Sequence, residues 1–137
     1  MSVPKQNWIC NMKPEWEKVV LSSKTFGVPD NRPGKSDIVQ DGDQLFLYVS
    51  GTGGGIVGVF TALGTFQKDT TGQFPKYSNR IKFVDKIRST SPIPFRIFKH
   101  EVFQRFAPNW SNALFGKTLI LISEENAKYL ENLISNS

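Results

Sequence analysis

Gln44-Leu45-Phe46-Leu47-Tyr48-Val49-Ser50 and Ile56-Val57-Gly58-Val59-Phe60-Thr61-Ala62-Leu63 are two runs of aliphatic, β-branched and aromatic residues joined by Gly51-Thr52-Gly53-Gly54-Gly55. Strong β propensity on both sides of a turn-forming link predicts a hairpin. Downstream, Asn79-Arg80-Ile81-Lys82-Phe83-Val84-Asp85-Lys86-Ile87 alternates polar and apolar residues, the pattern of a half-buried strand. Between these, Gln67 to Ser78 is polar and carries Gly72 and Pro75, which predicts an exposed loop.

The same signal reaches both ends of the chain. Trp8-Ile9-Cys10 reads as a short first strand and Lys117 to Ile122 as a late one. Lys13 to Leu21 reads as a helix, with Pro14 in its first turn and Glu15 and Glu17 at the positive end of its dipole. Trp16, Val19 and Val20 then share one inward face. Ser123 can cap a closing helix that carries Glu124 and Glu125 in its first turn and turns Ala127, Leu130, Leu133 and Ile134 inward. Thr25 to Lys35 reads as a loop, and Ser36 to Val39 as one helical turn before Asp41-Gly42-Asp43. Phe95 to Phe106 fits either a strand with a short turn or a helix. The expected class is α+β: an open or closed β-barrel with roughly two or three peripheral helices.

The 137 residues suit one domain, 1–137, because two separate cores would be cramped. A hydrophobic share of 39%, with eleven phenylalanines, supplies a core and argues against disorder. Seventeen Lys and Arg against twelve Asp and Glu give a net charge of +5, which favours an anionic partner such as nucleic acid. No run approaches the ~20 apolar residues that span a bilayer, and no signal-peptide pattern follows Met1 to Asn7. The expectation is a cytoplasmic protein without a membrane partner.

Catalytic and metal motifs fail on their context. A single cysteine excludes an internal disulfide and a Cys-based zinc site, and Cys10, in an expected strand without basic neighbours, reads as a buried structural thiol. His100-Glu101 opens like a zinc-protease helix, but the chain has one histidine and cannot build a His-based site. No G-x-S-x-G elbow supports a serine nucleophile. Gly53-Gly54-Gly55-Ile56-Val57-Gly58 matches G-x-G-x-x-G, yet a β run follows where a dinucleotide site needs a helix, so it reads as a hairpin turn. Gly116-Lys117-Thr118 resembles the end of a phosphate loop, but Ser111 stands where its upstream glycine belongs. The expectation is a non-enzyme with no cofactor and no metal.

Trp16, Phe46, Phe60 and Phe83 sit where packing explains them. Phe26, Phe74, Tyr77 and Trp110 lie in turn-rich segments, where they either line a pocket for a flat ring or cover the ends of a barrel. Basic residues are scattered around them: Lys24, Arg32, Lys35, Lys76, Arg80, Lys99, Arg105 and Lys117.

Taken in order, Trp8-Ile9-Cys10, Phe26-Gly27-Val28-Pro29, Gly42-Asp43, Tyr48-Val49, Ile56-Val57-Gly58, Tyr77 to Arg80, and Trp110-Ser111 to Phe115-Gly116-Lys117 resemble the EVE-type domain. That family belongs to the PUA-like superfamily and is related to the YTH readers. The resemblance runs from Trp8 to about Ile134 and implies a PUA-like twisted β-barrel of about five to six strands. It also implies nucleic-acid binding, with a flipped, methylated base held in an aromatic cage. On that basis the pocket is expected to comprise Asn11, Phe26, Gly27, Val28, Pro29, Tyr48, Ser50, Tyr77, Trp110 and Phe115. Phe26 replaces a frequent tryptophan wall, and Asn79 replaces the second aromatic of a Tyr-Pro-Tyr-Arg-like segment. Phe26 and Trp110 would sandwich the base, Asn11 and Ser50 would read its edge, and Lys24, Arg80, Arg105 and Lys117 would contact phosphates.

DNA carrying a methylated cytosine or adenine is the first expected partner and modified RNA the second. The resemblance further implies a target-recognition role in a modification-dependent restriction system, beside a fused or associated motor or nuclease subunit. The isolated domain is expected to be monomeric. A nuclease-like enzyme and a protein-interaction module are the competing classes.

Overall fold

A computed structural model describes residues 5–30, 38–71, 76–114 and 117–137. β1 (Asn7–Met12) leads through a 3₁₀ turn (Pro14–Trp16) into α1 (Glu17–Ser23) and then β2 (Thr25–Val28). β3 (Gln44–Val49), β4 (Gly55–Lys68) and β5 (Asn79–Ile93) follow. Next come α2 (Phe95–Val102), a second 3₁₀ turn (Gln104–Phe106) and α3 (Ser111–Leu114). β6 (Leu119–Ile122) and α4 (Glu124–Ser135) close the chain.

The strands form one sheet in the order β2-β5-β4-β3-β1-β6. β1 and β3 run parallel, with Trp8 beside Leu45 and Asn11 beside Tyr48, whereas the other neighbours are antiparallel. Among the described residues the edge strands β2 and β6 do not pair with each other, so the sheet curls into a half-barrel rather than a closed one. Alternation along the strands feeds two cores. Trp8, Cys10, Leu45, Leu47, Phe60 and Phe83 pack with Val20 of α1 on one side. Ile9, Phe46 and Val59 pack on the other with Phe98 of α2 and with Ala127, Leu130 and Ile134 of α4.

Local chemistry sets most element ends. Gly51 and Gly53 take φ of +94° and +78° in the β3–β4 turn, a conformation that suits glycine, and the chain then enters β4 as a strand. Ser123 caps α4, its Oγ accepting from the Asn126 N–H at 3.1 Å. Asp43 is 1% exposed and accepts from the backbone N–H groups of Gln6 and Gln40 and from Trp8 Nε1, at 3.0, 2.9 and 3.0 Å. That carboxyl group ties the start of β1 to the turn before β3.

Three expectations change and one open reading is resolved. Thr25 to Val28 is a strand, paired with Asn79 to Lys82 of β5, because an edge partner supplies the ladder that four residues cannot announce themselves. Gln67 and Lys68 extend β4 against Arg80 and Asn79 rather than starting a loop. β5 continues past Ile87 to Ile93. Phe95 to Phe106 is α2 followed by the second 3₁₀ turn. Much of the expected turn at Ser36 to Val39, together with Arg32, Lys35 and Phe74, lies outside the described residues. No helix among the described residues is long and apolar enough to cross a membrane.

Candidate nucleic-acid interface

Where the parallel strands β1 and β3 end side by side, a cleft of about 1060 Å³ opens. Its size matches the upper end of the ~300–1,000 Å³ typical of small-molecule sites. The ends of these strands supply Asn11, Met12, Tyr48 and Ser50. Tyr48 is half-buried, its ring 6.2 Å from Phe98 and edge-on to it. Burial pushes its phenol above the ordinary range.

Asn11 has a fixed orientation. Its backbone N–H donates to Thr118 O at 2.8 Å, and Nδ2 donates to the carbonyls of Leu114 and Lys117 at 3.2 and 3.1 Å. A flipped amide would set its oxygen against those two carbonyls, so Nδ2 must face them. Oδ1 is then left buried and, among the described residues, without a hydrogen-bond partner.

One wall is built from β2 and the segment before β5. A side chain at Gly27 would bring its Cβ to 3.0 Å from Tyr77 Cβ, so the missing side chain is what lets Tyr77 lie close. Tyr77 meets Trp16 edge-on at 5.3 Å, and both border the cleft. Asp30 staples this wall. It accepts from the Ser78 hydroxyl at 2.5 Å and the Ser78 N–H at 2.7 Å, while its own N–H donates to Lys76 O at 2.8 Å. The Ser78 hydroxyl, then the Ser78 N–H, hold the Asp30 carboxyl below its usual range.

The half-buried Trp110 also lines the cleft, as do Phe95 and Leu114. His100 meets the Trp110 ring edge-on at 4.8 Å, and Lys99 Nζ lies over that ring at 4.9 Å.

Of the expected pocket residues, Asn11, Phe26, Gly27, Pro29, Tyr48, Ser50, Tyr77 and Trp110 line this one cleft. Phe26, however, is 1% exposed and belongs to the core, so it offers a floor and not a free stacking face. Val28 is buried in the same core and does not line the cleft. Phe115 lies outside the described residues.

The expected phosphate contacts divide. Lys117 borders the cleft, and Arg105 is exposed against the Phe106 ring at 4.7 Å. Lys24 is paired with Asp85 at 2.5 Å and is not part of the lining. Arg80 is 8% exposed; it donates to Tyr77 O at 2.8 Å and to Thr71 O, and lies 3.6 Å from Asp69. Those partners give it a structural place in the sheet. Trp16 and Phe95 are the lining aromatics that sequence reasoning did not assign to the pocket. The one available signal for Trp16 was Pro14, which starts the turn that folds it back over the end of β1.

Among the described residues no group of three His, Cys, Asp or Glu side chains is placed to hold a metal ion. Cys10 is buried, and burial pushes its thiol far up, away from thiolate chemistry.

The chain matches the EVE domain family over residues 6–130. It is 26% identical to a UPF0310 protein from Pyrococcus abyssi, over 93% of this chain and 98% of that protein. Human THYN1 protein, solved in complex with 5-methylcytosine containing DNA, superposes with a TM-score of 0.66 at 14% identity, covering 97% of this chain and 99% of that one. The Mmi1 YTH domain, solved in complex with RNA, gives 0.67 at 6% identity, over 96% and 79%. At these identities the two structures establish a shared PUA-like fold.

Proposed function

Because the chain belongs to the EVE domain family, we propose that it is a non-catalytic module that binds nucleic acid and reads a modified base drawn into the cleft. The observation that carries this reading is Asn11. A buried acceptor with no partner costs about 1–3 kcal/mol, and a ligand N–H reaching it would recover that cost. Cytosine and adenine both present an exocyclic amine, and the common methylated forms of each keep at least one such hydrogen. Trp110, Tyr77 and Trp16 supply ring faces and edges beside it, and stacking on an aromatic contributes ~1–3 kcal/mol per base. A methyl group adds about 0.8 kcal/mol when buried, so discrimination depends on how closely the cleft fits it.

DNA is the preferred substrate, supported by the 5-methylcytosine DNA bound to the THYN1 neighbour; modified RNA is second, supported by the RNA on the YTH neighbour. A role as the target-recognition part of a modification-dependent restriction system, with a motor or nuclease subunit, is the wider form of the same proposal.

Binding to oligonucleotides that differ in one modified base tests it. Trp110→Ala is expected to lose most of the discrimination while keeping its fold. A Trp110→Ala protein that folds and discriminates as well as the wild type would overturn the pocket assignment.

A further inference from the structure

The cations that line the cleft are Lys13, Lys76 and Lys117. Behind the β2–β5 wall Lys24 and Arg88 both pair with Asp85, at 2.5 and 3.2 Å, and Arg80 lies 3.6 Å from Asp69, whereas Lys76 forms no ion pair among the described residues. Asp30 adds a further negative charge at the edge of the cleft there. On the α2 side, Lys99 and Arg105 form no ion pair among the described residues. They lie instead over aromatic rings, Lys99 over Trp110 at 4.9 Å and Arg105 over Phe106 at 4.7 Å. Lys117, from the approach to β6, brings its Nζ to 4.4 Å from the same Phe106 ring.

A ring face attracts a cation without neutralising it. It therefore holds a long, flexible side chain in place and leaves its full charge available to an anion. A carboxylate partner does the opposite, because a phosphate must displace it. Two cations, one beside Phe106 in the chain and one from the approach to β6, converge on that ring, and a third sits on the cleft-lining Trp110.

We infer that Lys99, Arg105 and Lys117, carried on Trp110 and Phe106, form a phosphodiester path, and that the nucleic-acid backbone approaches the cleft along the α2 side. This rests on the nucleic-acid reading above for the identity of the ligand. Phe106 is a positioning residue on this path; Lys99, Arg105 and Lys117 make the contacts.

The test is the salt dependence of binding, measured by fluorescence anisotropy with a labelled DNA duplex carrying one 5-methylcytosine and its unmodified counterpart. Each lost phosphate contact flattens the slope of log K against log salt by about one. Lys99→Gln and Arg105→Gln are each expected to flatten it by about that amount on both probes. Lys24→Gln removes the same charge from behind the β2–β5 wall and is expected to leave the slope unchanged. Phe106→Leu removes no charge and is expected to weaken both probes alike, by about threefold or more, with the ratio between them retained.

A slope unaffected by Lys99→Gln and Arg105→Gln overturns the path, as does equal flattening by Lys24→Gln. Discrimination that persists with an unaffected slope removes the path and keeps the base reading. Equal binding of the two probes with a slope flattened by the α2-side variants keeps the path and removes the base reading. Failure of either probe to bind at low salt overturns both.

Discussion

Asn11 does two jobs with one carboxamide. Its nitrogen holds the carbonyls of Leu114 and Lys117, and its oxygen is left buried with no partner. Asn11→Leu keeps the branched shape but unpairs the carbonyls of Leu114 and Lys117. It is expected to cost about 1–2 kcal/mol in a urea melt and to abolish discrimination between modified and unmodified oligonucleotides. Intact discrimination in that variant would take Asn11 out of base reading. Phe26 illustrates the limit of residue-by-residue inference. The family resemblance marks it as a pocket wall, and it does border the cleft, but its ring is packed into the core. Truncating such a phenylalanine usually costs ~3–5 kcal/mol, so its loss would report on folding before recognition. Trp110, half-buried beside the cleft, is the residue to mutate instead.

At the scale of elements, the β2 wall depends on contacts between segments that are distant in sequence. Gly27 accepts the close approach of Tyr77, and Asp30 fastens the chain on both sides of that ring through Ser78 and Lys76. The depressed Asp30 pKa fixes the sign of the pH dependence. The folded state prefers the carboxylate, so the staple stabilises above the ordinary value of 3.8 and is lost as pH falls through the lower folded value. Wild type is therefore expected to unfold at a higher temperature than Asp30→Ala at neutral pH, with the gap closing in strongly acidic buffer. A gap that stays constant down to that range would show that the carboxylate is not what holds the wall. α2 plays the same part for Trp110. Its last turn places Lys99 and His100 against Trp110, which fixes the indole from two directions.

For the whole molecule, the cleft exists because two strands from different parts of the chain run parallel and end together. Asp43 secures that arrangement, since its three N–H donors come from the approach to β1, from Trp8 and from the turn before β3. Asp43→Ala would leave the buried Trp8 indole N–H and two part-buried backbone N–H groups unpaired and is expected to cost about 2–3 kcal/mol, read as a lower midpoint in denaturant. A loss well under 1 kcal/mol would mean that water replaces the carboxyl group there.

Sequence by itself determined the hairpin of β3 and β4, the first strand, the helix after Pro14 and the capped α4. Each of these is encoded by neighbours in the chain: alternation, turn glycines, a proline and a serine cap. It also determined that no local motif for metal or nucleotide chemistry was intact, because those motifs are short and their context is readable. The tertiary structure alone decided that Thr25 to Val28 is a strand, that Val28 and Phe26 turn into the core, and that Lys24 and Arg80 are held by carboxylates while Lys99 and Arg105 lie on rings. The pairing of Thr25 to Val28 and the Lys24 ion pair depend on partners far along the chain, and the ring contacts of Lys99 and Arg105, although to nearer residues, depend on how that segment folds. Which side of a strand is buried, and which cation meets a carboxylate, are settled only when the sheet brings those partners within reach.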